Sequence, residues 1–225
     1  EEYDALKAIL KNSKRPVYAA MGNHDVRWSD SGKENYRRAF GDAYQMFDYN
    51  GVRFVLLDSS MLIEHYGHID GIQMKRLEKD LQEMPEGGFA VLGAHHPPLS
   101  PGHYIDNEYQ LADLLTKYNV PLVCDGHGHT MLRYTRNGTT YAMGGSVSNS
   151  GSPARSYRVF KVTPGEITSI VRNVEKDVNT TEDPVPANSQ NHGKLTAVAD
   201  AQPGLFSVML NDGPYSGGAA VILDQ

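Results

Sequence analysis

Apolar and polar positions alternate along the chain in two periods. Tyr3, Leu6, Ile9 and Leu10 share one helical face, and Pro16 then opens the apolar run Val17-Tyr18-Ala19-Ala20, which predicts a strand. Ser31 with Glu34 fits a capping box for a short helix reaching about Phe40, and Asn50-Gly51 joins residues 47–49 to 52–57 as a hairpin. Met74, Leu77, Leu81 and Met84 mark the next helix, followed by a strand over 89–94. Leu111, Leu114, Leu115 and Tyr118 mark another, followed by a strand over 120–124. Asn137-Gly138 and Pro164-Gly165 turn two further hairpins, with strands over 139–143, 157–162 and 166–172. The pattern is α/β with an antiparallel, β-rich second half.

Charge separates the end of the chain from the rest. Residues 1–174 carry 19 basic and 20 acidic side chains, whereas residues 175–225 carry 2 and 7. This predicts a domain over 1–174 and an acidic extension over 175–225. The extension begins as a polar linker from Glu175 to about His192, containing Asp183, Pro184 and Pro186. Short strands over 195–201, 205–210 and 219–223 follow, separated by Pro203-Gly204 and by a turn from Gly213 to Gly218. The length of 225 residues suffices for a sizeable core without disulfides, and Cys124 is the only cysteine. A net charge of −6 with no Lys/Arg block removes the usual footprint of nucleic-acid or anionic-membrane binding. No apolar run is long enough to span a bilayer, and the first residues lack the basic and apolar regions of a signal peptide, so the chain reads as soluble.

The candidate chemistry lies directly after three predicted strands. These clusters are Gly22-Asn23-His24-Asp25, His95-His96-Pro97-Pro98 and Gly126-His127-Gly128-His129. Ligands of open α/β sheets bind at strand carboxyl ends, so three distant segments can converge on one site. Five of the nine histidines lie in these clusters, and imidazole is the commonest metal ligand. His127 and His129 can reach two adjacent ions from one tight loop, with Gly126 and Gly128 allowing the backbone to turn.

With these motifs the chain resembles the calcineurin-like metallophosphoesterases over residues 1 to about 174. Gly71-Ile72-Gln73 leading into Leu77 and Leu81 is similar to the family's G-x-x-x-Q-x-x-W-L region, with Arg76 where Trp is usual. The resemblance implies a four-layer αββα sandwich and a dinuclear centre of divalent or mixed-valence transition metals (Fe, Mn or Zn) that hydrolyses small-molecule phosphodiesters or phosphomonoesters. It implies that Asn23, His95 and His127 hold one ion and His129 the other. His24 would lie beside the scissile phosphate, and Asp25 would orient His24. The family's D-x-H and G-D motifs, which supply further ligands and a bridging Asp, are absent before Gly22, and residues 1–20 look like the helix and strand that normally follow G-D. The expectation is therefore a domain incomplete at its N-terminus, with three ligands at one metal position and one at the other.

Among the remaining candidates, His103 in a Pro-Gly loop and Arg155 before a strand are potential phosphate contacts, the latter together with Arg158. Asp58 at a strand end is a candidate for support of the site, and His65 and His68 receive no role. The rival to an enzyme is a noncatalytic binding module with a vestigial metal site and an acidic extension that serves partners.

Overall fold

The computed structural model describes residues 2–148, 153, 155–163, 165–187, 204–213 and 216–223. Helix α1 (Glu2–Leu10) leads into β1 (Val17–Ala19), α2 (Asn23–Arg27) and α3 (Glu34–Phe40). The chain continues through β2 (Gln45–Tyr49), β3 (Val52–Leu56), α4 (Gly71–Gln82), β4 (Phe89–Gly93), α5 (Glu108–Leu115) and β5 (Leu122–Asp125). Then come β6 (Arg133–Arg136), β7 (Thr139–Met143), β8 (Ser156–Val162), β9 (Glu166–Asn173), β10 (Val178–Pro186), β11 (Gly204–Gly213) and β12 (Ser216–Leu223).

The strands form two sheets. One has the order β2-β3-β4-β5-β7-β6, parallel from β3 through β4 and β5 to β7, with antiparallel edges. The other, β1-β12-β11-β8-β9-β10, is antiparallel throughout. The period of two in β3 shows why they stack. Phe54 and Leu56 pack with Val91, Leu122, Phe160 and Ile167 between the sheets, while Val55 and Leu57 face Leu77 and Leu81 of α4 and Leu111 and Leu115 of α5. On the far side, Tyr3, Val26, Tyr36 and Phe40 cover Ala19 with α1–α3. The layers are thus helix, sheet, sheet, helix, the αββα sandwich that the family resemblance implied.

Local chemistry sets the element ends. Asn50 and Gly51 both have positive φ, 49° and 76°, as do Asn137 and Gly138 at 51° and 81°, so each Asn-Gly pair makes the turn that suits a twisted hairpin. Asp70 caps α4 by accepting from the Ile72 and Gln73 amides, both at 2.9 Å. Gln73 then accepts from the Asp58 amide and donates to its carbonyl, tying α4 to the end of β3. Arg76, the departure from the family's Trp, lays its guanidinium 4.2 Å from the centre of the Tyr44 ring and pairs with Asp42.

Two local expectations are corrected. Helix α3 begins at Glu34 with Lys33 as its N-cap, because the Ser31 hydroxyl pairs with Ser29 and its carbonyl closes a turn onto the Glu34 amide. The segment expected to start an acidic linker is instead strand β10, which is hydrogen-bonded to β9. Its polar sequence suits an edge strand, and Pro184, which cannot donate to a ladder, falls where the register shifts between Glu182 and Val185. Strands β11 and β12 lie between β8 and β1 in the same sheet. The strand expected over 195–201 lies outside the described residues, as do Pro164, Pro203 and positions 214–215 of the predicted turns.

Candidate metal centre

The loops after β1, β4 and β5 bring Asn23, His95 and His127 together. His95 Nε2 lies 2.8 Å from Asn23 Oδ1 and 3.0 Å from His127 Nδ1. Around a tetrahedral ion with bonds of about 2.1 Å, neighbouring donors sit about 3.4 Å apart, so the trio needs to open only slightly to receive one. A single proton on His95 Nε2 serves two neighbours here, and an ion replacing it would meet three converging lone pairs. Asn23 and His95 are buried. Burial, reinforced by the surrounding imidazoles, holds the His95 pKa well below the usual histidine range and pushes that of His127 down to about 3. Both rings are therefore neutral at pH 7, the form that ligates a metal. The donor set fits a divalent transition metal: imidazole suits zinc and iron, and an amide oxygen suits manganese as well.

His127 and His129 both occupy the left-handed region, with φ of 65° and 52°, whereas Gly126 and Gly128 do not. The backbone cost expected at the glycines falls on the histidines, as is frequent where a side chain must be aimed. Gly128 is needed for space instead, since a Cβ there would lie 2.6 Å from Met143 Sδ. His129 is outside the trio, though close enough for its charge to disfavour protonation of His95 and His127.

His96 is also near, and among the described residues His95, His96 and His127 form the group of acid, thiol or imidazole side chains placed to hold an ion. Its hydrogen bonds assign it other work. His96 Nε2–H donates to the His65 carbonyl at 3.1 Å, which leaves Nδ1 to accept from Ser59 Oγ at 2.8 Å, so both ring nitrogens are used. Burial pushes its pKa down to about 4, which keeps this neutral tautomer.

The other predicted site residues divide. His24 follows Asn23 and sets its ring edge-on to Trp28 at 4.8 Å; its Nδ1 is buried without a hydrogen-bond partner among the described residues. Asp25, expected to orient His24, accepts from the Gly22 amide at 2.7 Å and from the Tyr3 hydroxyl, and so fixes the start of α2. His103 donates to the buried Glu108 carboxylate at 2.7 Å. Arg155 pairs with Glu175 at 3.5 Å, while the buried Arg158 is a structural ion pair with Glu182. Asp58 binds Lys33 and Ser60. The residue that sequence reasoning missed is His65, whose ring lies 4.5 Å from that of His127 and whose Nδ1 lies 3.2 Å from Asn23 Nδ2. It sits in a polar loop with no motif, and only tertiary folding reveals it.

The family model described as calcineurin-like phosphoesterase matches residues 1–131. The chain belongs to that family. It is 33% identical over 148 residues to a probable glycerophosphodiester phosphodiesterase of Arcobacter nitrofigilis, covering 57% of this chain and 51% of the relative. It is 31% identical to a probable cyclic nucleotide phosphodiesterase of Rhodococcus erythropolis, covering 57% and 46% respectively. It is 28% identical to a 3',5'-cyclic-nucleotide phosphodiesterase of Nostoc, covering 70% and 58%. The chain thus spans about half the length of these calcineurin-like relatives. Among the described residues no helix is long and apolar enough to cross a membrane.

Proposed function

We propose that this calcineurin-like chain hydrolyses a small-molecule phosphoester, with a diester favoured by its likeness to phosphodiesterases. The observation that carries the reading is the convergence of Asn23 Oδ1, His95 Nε2 and His127 Nδ1 within 3.0 Å contacts. These three residues would hold one divalent transition-metal ion, with His129 serving a second. When bound, such ions polarise phosphoryl oxygens and lower the pKa of water to near neutrality. The donors of the trio are neutral, so an ion there keeps its charge to attract an anionic ester. His24, beside the trio and outside it, would face the phosphate, stabilising developing charge or giving a proton to the leaving oxygen. Two aromatic rings flank these groups, Trp28 edge-on to His24 and Tyr104 4.7 Å from the His127 ring.

The test is hydrolysis of bis-nitrophenyl phosphate and of nitrophenyl phosphate under manganese and zinc titration, with bound metal measured in parallel. Faster diester hydrolysis is expected. His127→Ala should remove metal and activity together, whereas His24→Ala should retain metal and lose about 10²- to 10⁴-fold in rate. Metal retention with full activity in His127→Ala would overturn the reading.

A further inference from the structure

We infer that His65 is a positioning residue for the metal site: its Nδ1 lone pair holds the Asn23 amide with Oδ1 turned toward His95 and His127. The inference rests on the proposed metal site above and identifies what makes Asn23 a ligand.

The argument starts from donor chemistry. Asn23 Nδ2 can only donate, and it lies 3.2 Å from His65 Nδ1. Arg27 Nη1, also only a donor, approaches the same nitrogen at 3.5 Å. Two donors converging on one imidazole nitrogen require it to carry the lone pair, which places the ring proton on Nε2. With its NH₂ group committed to His65, the Asn23 amide must present Oδ1 on its opposite side, where His95 Nε2 lies at 2.8 Å. The flipped amide would aim two N–H groups at the cation position. An asparagine needs this kind of outside partner because its two ends are nearly the same shape and only hydrogen bonds decide between them.

The His65 loop is itself clamped. Its carbonyl accepts from His96 Nε2 at 3.1 Å, His96 Nδ1 accepts from Ser59 Oγ, and Ser59 Oγ accepts from the His96 amide at 3.2 Å. Gly67 closes the other side: its amide donates to the Tyr104 carbonyl at 2.7 Å, and a Cβ at Gly67 would lie 2.7 Å from His96 Nδ1. His96 thus serves the site by holding the loop that carries His65. Supporting partners of this kind are worth about 10- to 100-fold in metal affinity.

The test uses His65→Leu, which has no acceptor, and His65→Asn, whose Oδ1 can stand near the place of Nδ1. In metal-free protein, long-range ¹H–¹⁵N spectra should show Nδ1 of His65 unprotonated, with the Asn23 side-chain amide resonances moved by His65→Leu and restored by His65→Asn. A protonated Nδ1, or an Asn23 amide indifferent to both substitutions, would overturn the inference even if zinc binding proved the metal reading correct. In chelator competition, His65→Leu should weaken zinc about 10- to 100-fold and His65→Asn about threefold or less. In an Asn23→Asp background, where either oxygen can ligate, His65→Leu should cost no more than about threefold. An equal loss in both backgrounds would mean that His65 acts through general loop stability, and the inference would fail. Absence of zinc binding by the unsubstituted chain would refute the metal reading and, with it, the assigned role of His65, while the spectra would still decide the His65–Asn23 hydrogen bond.

Discussion

Replacing Glu182 by Gln probes whether β10 is an integral part of the sandwich. Arg158, only 2% exposed on β8, donates from Nε to Glu182 Oε2 at 2.6 Å and from Nη2 to Oε1 at 2.8 Å. Its Nη1 crosses to the other sheet and donates to the Met143 carbonyl at 2.8 Å, while Ser169 on β9 donates to the same carboxylate at 2.6 Å. The Arg158–Glu182 pair thus links β7, β8, β9 and β10. Burial works to raise the Glu182 pKa, but the hydrogen bonds and charge of Arg158 outweigh it and hold the carboxyl below its usual range. Removing one partner of a buried pair costs about 3–5 kcal/mol, because the remaining charge is left uncompensated. Water can reach Glu182, whose side chain is 17% exposed. The lower end, about 3 kcal/mol, is therefore expected, which for a chain of this size lowers Tm by about 6–12 °C. Urea denaturation and calorimetry would measure it. Arg158→Met with Glu182→Leu removes both charges and should cost less than Glu182→Gln alone. A Glu182→Gln midpoint equal to that of the parent, or a double variant worse than the single, would refute the reasoning.

Gly67→Ala should destabilise the protein by about 1–3 kcal/mol, because the new Cβ would press on both His96 Nδ1 and the Ser59 carbonyl, each at 2.7 Å; an unchanged urea midpoint would show that the clamp is loose. In chelated protein, stability should fall as pH drops below about 6.5, where the unfolded chain takes up protons that His95, His96 and His127 refuse when folded. The loss should continue until the folded values are reached, about 4 for His96 and about 3 for His127. Asp125, raised by burial, has the opposite sign because the native state keeps a proton that the unfolded chain releases. It opposes the histidines, so the net loss between pH 6 and 5 is smaller than the about 1.4 kcal/mol per pH unit and per group that the three histidines alone would give. Urea midpoints at pH 7, 6 and 5 would check this, and a flat profile would contradict it.

Much of this arrangement was legible in the chain. The apolar run Phe54-Val55-Leu56-Leu57 marked the strand that became β3, and the Asn-Gly pairs located two hairpins because their positive φ values favour those residues. The three strand-end clusters pointed to one shared site because a strand that stops in a polar turn delivers its next side chains to the sheet rim, and the choice of Asn23, His95 and His127 within them came from the family resemblance. What failed to show depends on long-range pairing. The segment 178–186 is polar because it forms a sheet edge, and composition alone cannot separate an edge from a linker. His95 and His96 are adjacent and chemically alike; only the Ser59 hydroxyl and the His65 carbonyl distinguish the loop clamp from the proposed ligand. His65 lies 42 positions from Asn23, and no local pattern links them.

Zinc K-edge absorption spectroscopy on the loaded chain tests the central claim most directly. Nitrogen and oxygen scatterers at about 2.0–2.1 Å, with the outer-shell signature of at least two imidazoles, are expected, and His95→Ala should remove one imidazole from that signal. A zinc environment without imidazole scattering, or one unchanged by His95→Ala, would contradict the assignment of Asn23, His95 and His127 as the metal-holding trio.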